Sequence, residues 1–329
     1  MKYIAIDPAL PPVSAISLGS WNTFSRLLFE DLVALLRRSL DLGVNFFDVG
    51  YYWDKPHTEV IFGRAMQVIG APRDSYLLAE KLWLWDYPQQ SFADQLKAAL
   101  VRLDAAYVDL VMVSRPLPDM DFDAFCEEVV DLIDAGLARA WGLTNWDPEQ
   151  IRRAQALMAA KGRPSPKLIQ AQYNVCRTGV VETPEFDRLF AETDIRLSAA
   201  FTLEGGILAG HLDRDRVQPS EFALGKTPVG RNIARDSGGV RDAVRDRQAL
   251  LVKIAKDLSV TPAQAAIGYC LGHPGLGSTL IGVTRIADLE EDIGALAMID
   301  HADEIRAALA PLAVDGVRNP KLFNPHNDE

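Results

Sequence analysis

Eight short apolar or β-branched runs recur along the chain: "VSAISLG", "NFFDVG", "YLLAEK", "VDLVMVS", "ARAWGLTN", "KLIQAQYN", "IRLSAA" and "STLIGV". Most are spaced by roughly 30 residues, the length of one strand followed by one helix. Between most of them lie segments whose apolar residues repeat at helical spacing. In "EDLVALLRRSLDLG", Leu32, Leu35, Leu36 and Leu40 share one face, and "FADQLKAALVRL" has the same character. Strands that alternate with helices pair in parallel, because each parallel partner has to be reached by a crossover. The pattern predicts an α/β fold, a (β/α)8 TIM barrel with an N-terminal hairpin ahead of it and a C-terminal helical extension behind it. A chain of 329 residues also suits two ordinary domains, but no composition break marks a linker, so residues 1–329 are read as a single barrel domain. A doubly wound open sheet is the competing architecture. No GxGxxG follows an early strand, which removes its strongest nucleotide signature.

One stretch breaks the rhythm. "HLDRDRVQPSEFALGKTPVGRNIARDSGG", residues 211–239, is long, polar and rich in Gly and Pro. On a barrel it is a βα loop above the active face, placed either to fold over a ligand or to serve as plain surface. The net charge of −11 and pI near 5.0 exclude a phosphate-backbone partner, which needs a concentrated cationic face. Neither a membrane span nor a secretory leader is expected, because no apolar run is long enough and "MKYIAIDPALPP" has no basic region followed by a long apolar one. Cys126, Cys176 and Cys270 are far apart and odd in number, and His211, His273 and His301 show no ligand spacing. A reduced, cytoplasmic protein without a metal is the expectation.

On a βα barrel, functional side chains sit at the C-terminal ends of strands. Those ends present Asp48, Lys81, Ser114, Thr144 with Asn145, and Gln170. Each alone has a structural explanation, as a cap, a turn residue or a solvated strand end. Asp48 and Lys81 gain from each other, because adjacent strands bring their ends together and a carboxylate beside an ammonium biases the protonation of a neighbouring acid.

The ordered set "LGSW", "GVNFFDVGYYW" followed by "TEVIFGRAM", Lys81 at a strand end, "DLVMVSRP", "GLTNW", "IQAQYN", "GGILAG" and "IGVTRIADLEEDIGAL" resembles the aldo-keto reductase family across nearly the whole chain. The resemblance implies a (β/α)8 barrel that binds a nicotinamide cofactor along the strand C-termini and transfers hydride to or from a carbonyl carbon. It implies that Asp48 and Lys81 are the catalytic aspartate and lysine. Thr144, Asn145 and Gln170 fall at the positions that hydrogen-bond the nicotinamide carboxamide, and Trp21 on a segment lining the pocket. Leu203, Gly206, Gly282, Thr284, Arg285, Asp288, Glu291 and Asp292 fall at further cofactor-binding positions.

Two departures stand out against that pattern. The family's proton-donating tyrosine is replaced by Trp53, and its active-site histidine by Ser114. Hydride delivery makes an alkoxide, so a reductase needs an acid whose proton transfers as charge develops. A phenol, with a pKa of about 10 that a neighbouring lysine lowers, suits this role. An indole N–H donates a hydrogen bond but is no acid near neutrality, and a serine hydroxyl is scarcely better. Tyr51, Tyr52 and His57 are the nearest substitutes, and Arg115 is a candidate for an anionic substrate group. At the adenosine end, carboxylates at 288, 291 and 292 would repel a 2′-phosphate and accept hydrogen bonds from a free ribose. This favours NAD over NADP, with Arg285 as the opposing signal. "AAFTLEGG" leaves Ala200 where an aromatic residue stacks on nicotinamide in the family.

Three functions compete. The first is an oxidoreductase using NAD or NADP on a carbonyl or alcohol through Asp48, Lys81, Trp53, Ser114 and Tyr52. The second is a lyase, dehydratase or isomerase that needs no such cofactor and in which Lys81 acts as base. The third is a catalytically silent cofactor-binding sensor. The partner is a small molecule, flat or ring-containing if Tyr51, Tyr52, Trp53, Trp83 and Trp85 line the mouth. The sequence sets no oligomeric state.

Overall fold

The computed structural model describes residues 1–51, 57–85, 87–211 and 240–317. The eight apolar runs are eight strands. β1 (Tyr3–Ile4) and β2 (Val13–Ser14) pair antiparallel as the N-terminal hairpin. The strands β3 (Ile16–Gly19), β4 (Phe46–Asp48), β5 (Leu77–Leu82), β6 (Val108–Ser114), β7 (Ala138–Thr144), β8 (Leu168–Gln172), β9 (Arg196–Ala200) and β10 (Leu276–Ile281) follow. They close into a parallel barrel in chain order, with β10 against β3. This is a (β/α)8 TIM barrel.

The helices are α1 (Phe29–Asp41), α2 (His57–Ile69), α3 (Phe92–Leu103), α4 (Phe122–Asp134), α5 (Pro148–Lys161), α6 (Pro184–Glu192), α7 (Arg241–Asp257), α8 (Pro262–Leu271), α9 (Ile286–Ile293) and α10 (Ala302–Leu309). Their starts carry their own signals. Ser91, Asp121, Asp147 and Thr183 each accept a first-turn N–H, Pro148 and Pro184 open their helices, and Thr261 with Gln264 forms a capping box. Gly162 ends α5 in the left-handed conformation at φ 63°. On α1 the stripe of Leu32, Leu35 and Leu36 is buried and Leu40 half-buried, as its spacing requires. α9, α10 and the short helical segments beside them make the C-terminal extension. Residues 212–239, most of the long loop, lie outside the described residues.

Two cores follow from strand alternation. Side chains facing out, such as Phe47, Leu78, Val111, Val113, Trp141, Leu143 and Ile169, pack under the helices. Side chains facing in, among them Phe46, Leu77, Ala79, Leu110, Met112, Ala140 and Leu168, fill the barrel together with Ile6, Leu10 and Val13 from the hairpin segment. The hairpin therefore covers the N-terminal end of the barrel, and polar chemistry is left to the C-terminal end. Gly142 is where the filling is tightest: a Cβ there would lie 2.6 Å from Met112 Sδ and 2.8 Å from the Leu168 carbonyl. Among the described residues no helix is long and apolar enough to cross a membrane.

Candidate active site

The inward-facing series Phe46, Asp48 on β4 and Leu77, Ala79, Lys81 on β5 changes from apolar to charged within one step at the C-terminal rim. Asp48 and Lys81 are 3% and 6% exposed. The Lys81 Nζ stands 2.8 Å from both carboxylate oxygens of Asp48. Gln170 Nε2 donates to Asp48 Oδ2 at 2.7 Å. A buried ion pair is tolerable only when its geometry is good and its remaining polar atoms are satisfied; here the ammonium and the amide both donate to Oδ2, and Oδ1 has the ammonium at ion-pair distance but no hydrogen bond of its own. Gly50 makes the approach possible, since a Cβ there would lie 2.8 Å from Lys81 Cγ. The Gln170–Asp48 bond was not foreseen from sequence, where Gln170 is assigned only to the cofactor.

Ser114, Thr144 and Gln170 are in register on β6, β7 and β8, so they form one arc of the rim. Ser114 and Thr144 are half-buried. Asn145 takes the left-handed conformation at φ 60° and donates its backbone N–H to the Gln170 carbonyl at 2.9 Å. Trp146 Nε1 anchors the turn on the Val113 carbonyl at 3.1 Å. The Thr144 hydroxyl is buried without a hydrogen-bond partner. A buried polar atom left unsatisfied is costly, so this hydroxyl is a ready partner for a polar ligand group.

An aromatic wall rises beside Lys81. Trp83 and Trp85 stack with centroids 4.6 Å apart and planes 7° from parallel. Trp83 is fixed at both ends: its Nε1 donates to the Tyr51 carbonyl at 2.7 Å, and Gln95 of α3 brackets its backbone N–H and carbonyl at 2.9 Å each. The Tyr51 ring lies 6.0 Å from Trp85 and 5.1 Å from the Arg102 guanidinium carbon. Arg102 belongs to α3, outside the barrel wall, so Tyr51 is held on that side. Trp21 stands 6.3 Å from Phe201, where the chain leaves β9. Arg115 lies 3.9 Å from Asp147. Tyr52, Trp53 and the side chain of His57 lie outside the described residues.

The other cofactor candidates sit where the chain leaves β9 and β10. Leu203 and Gly206 belong to a turn in which Phe201 and Glu204 adopt φ 61° and 50°. Glu204 explains how that turn is held. Buried at 4% exposure, it receives Arg177 through Nε at 2.7 Å and Nη2 at 2.6 Å, and Asn174 Nδ2 at 2.8 Å. The one acidic residue in "AAFTLEGGILAG" was the available sequence signal for it. At Gly282 a Cβ would come 2.9 Å from Thr23 Cγ2. Thr284 is half-buried, and Glu291 is exposed, with its backbone carbonyl accepting from Gln264 Nε2 at 2.9 Å. Asp292 is buried. Arg285 is bound by both oxygens of Asp288, at 2.9 and 2.6 Å. Among the described residues no group of three or more His, Cys, Asp or Glu side chains is arranged to hold a metal ion.

A closed βα barrel whose rim carries a paired Asp and Lys beside Thr-Asn and Gln is the architecture of an aldo-keto reductase. The sequence pattern of the Aldo/keto reductase family matches residues 15–309, and the chain belongs to that family. It is 29% identical to an Arabidopsis thaliana protein named "Probable voltage-gated potassium channel subunit beta", over all of this chain and 99% of that protein. An Oryza sativa subsp. japonica protein of the same name is 31% identical, again over all of this chain and 99% of its own length. The structure of a thermostable aldo-keto reductase in complex with the inhibitor epalrestat superposes with a TM-score of 0.68 at 21% identity, covering 95% of this chain and all of that one. That likeness concerns the fold.

Proposed function

We propose that this protein is a nicotinamide-dependent oxidoreductase acting on a carbonyl or alcohol group, with Lys81 in place of the missing tyrosine as the group that moves the proton. The observation that carries the reading is the Lys81 ammonium held 2.8 Å from both Asp48 oxygens at the C-terminal rim of the barrel. Thr144, Asn145 and Gln170 would hold the cofactor's carboxamide, with the unpartnered Thr144 hydroxyl satisfied by it. The bound cofactor supplies hydride to the carbonyl carbon. As negative charge develops on the carbonyl oxygen, Lys81 gives it a proton from Nζ. Asp48 orients the ammonium, and water returns the proton to Lys81. Asp288, by occupying the Arg285 guanidinium, supports NAD rather than a 2′-phosphorylated cofactor. The stacked Trp83–Trp85 wall supports a flat or ring-containing substrate.

Titration of the protein with NADH and NADPH, followed by tryptophan fluorescence, tests this directly. Saturable quenching, tighter for NADH, is the expected result, and its absence with both removes the reading. Single-turnover oxidation of the bound cofactor against an aldehyde panel then reports the chemistry. Trp53→Tyr combined with Ser114→His is expected to raise that rate by on the order of 10²-fold, the lower range for a positioned general acid; no rise would mean that more than the acid has changed.

The names of the Arabidopsis and Oryza relatives favour a second reading, a cofactor-binding subunit that acts on a partner protein and turns over little. Saturable cofactor binding with no oxidation by any aldehyde is the outcome that selects it.

A further inference from the structure

Behind Lys81, on the outer face of β5, lies a second charged cluster that the reaction does not use. Glu80 alternates with Lys81, points towards the helices and is fully buried. Its Oε1 accepts the backbone N–H of Lys81 at 2.8 Å and that of Tyr51 at 3.4 Å. It is in hydrogen-bonding contact with Glu59 of α2, which is itself fully buried. Glu59 is paired with Arg102 of α3 through Nε and, at 3.1 Å, through Nη2. Arg102 in turn lies over the Tyr51 ring. The charged and titratable groups that act on Glu80 are Glu59, Arg102, Lys81, Asp48 and Tyr51. Two carboxyl groups thus lie together, and the one guanidinium beside them bonds Glu59.

Burial, then the neighbouring Glu59, then Asp48 push Glu80 well above the ordinary carboxylate range, although the two backbone N–H groups pull the other way. Burial also raises Glu59, but Arg102 opposes it there. Of the two carboxyl groups, Glu80 is therefore the one pushed further towards its protonated form.

We propose that Glu80 is a positioning residue for the Asp48–Lys81 pair, its Oε1 clamping the Lys81 and Tyr51 backbones so that strand β5 and the chain leaving β4 keep one fixed relation. Asp48 and Tyr51 lie three residues apart, so this clamp sets where the carboxylate meets the ammonium. It acts from outside the barrel and touches no substrate. Only its bearing on turnover rests on the oxidoreductase reading.

Amide spectra of the full-length, isotope-labelled chain test the clamp without any reaction. Glu80→Gln keeps an oxygen for the two N–H groups and an N–H for Glu59, so the Lys81 and Tyr51 amides should stay at their wild-type positions. Glu80→Ala should move both upfield and speed their exchange with solvent. Unmoved amides in Glu80→Ala, or displaced ones in Glu80→Gln, overturn the proposal, and the second arm decides alone where the alanine variant does not fold. In single turnover, Glu80→Ala should lose on the order of 10²-fold in rate, the scale of an ångström of misplacement, with cofactor affinity unchanged and Glu80→Gln close to wild type. Equal loss in both variants also overturns it. A wild-type protein that oxidises no cofactor removes the oxidoreductase reading and leaves the amide comparison to judge Glu80.

Discussion

Residues 80 and 81 are neighbours on one strand, yet they solve the burial of charge in opposite ways. Lys81, facing in, has a carboxylate whose two oxygens both lie 2.8 Å from its amino nitrogen, at the C-terminal rim of the barrel. Glu80, facing out, lies beside a carboxylate already committed to Arg102, and it is pushed towards its protonated form. The inner pair sits at the C-terminal rim, the end of a βα barrel where ligands bind; the outer pair is buried between the barrel and α2 and α3. Burial is the largest influence on Glu80, and it acts there with no cation in hydrogen-bonding contact to oppose it, whereas Arg102 opposes it at Glu59.

Removing the inner cation should break this contrast most severely. Lys81→Met leaves Asp48 buried with only Gln170 to serve it, and the expected loss is about 3–5 kcal/mol of unfolding free energy, measured by urea denaturation. Asp48→Leu in the same chain should recover most of that loss, because the penalty belongs to the stranded charge. If the double variant is as unstable as the single one, the pair is not what Lys81 stabilises.

The outer cation should matter less. Arg102 is partly exposed, and Glu59 has the option of taking a proton when the guanidinium goes. Arg102→Met should cost about 1–3 kcal/mol, the range for an unsatisfied buried hydrogen-bonding group. Without Arg102 the Glu59 pKa rises further, so the loss should be greatest at alkaline pH and shrink as pH falls towards 4.5. A loss independent of pH would mean that packing over Tyr51, rather than charge, is what Arg102 provides.

The two faces were also unequally legible in the sequence. The barrel was readable because eight parallel strands buried on both faces write continuous apolar runs at regular spacing, and Asp48 and Lys81 stood out at the ends of two of them. Glu59 stands in the first turn of a helix, where an acidic residue is ordinary, and Glu80 stands beside Lys81 near a strand end. Their meeting with Arg102 joins residues from three elements, and no periodicity connects positions 59, 80 and 102. A signal existed nevertheless. In "LLAEKL" two successive charges follow a doubly buried run, so they must point to opposite faces, and the one that turns outward needs a partner among the helices. The bond from Gln170 to Asp48 spans 122 positions and had no local signal. Tyr51 had one, its place beside the vacant acid position, but that signal pointed into the barrel, whereas Arg102 and Trp85 hold the ring on the outside.

The smallest expected effect is also the sharpest test of the contrast. Glu80 has a folded-state pKa raised above the ordinary 4.5. Its contribution to stability is therefore complete below that value and is lost as pH rises towards and through the folded value, because the unfolded chain releases the proton first. Glutamine offers the same acceptor and donor and never titrates. Glu80→Gln should match the wild type near pH 4.5 and become the more stable protein as pH rises to 8, by on the order of 1 kcal/mol, the net worth of one buried hydrogen bond made without an ionisation cost. Thermal unfolding at the two pH values measures this. A constant offset between the two proteins would assign the difference to packing and would place a charged Glu80 beside a charged Glu59, which would make the two faces of the strand alike.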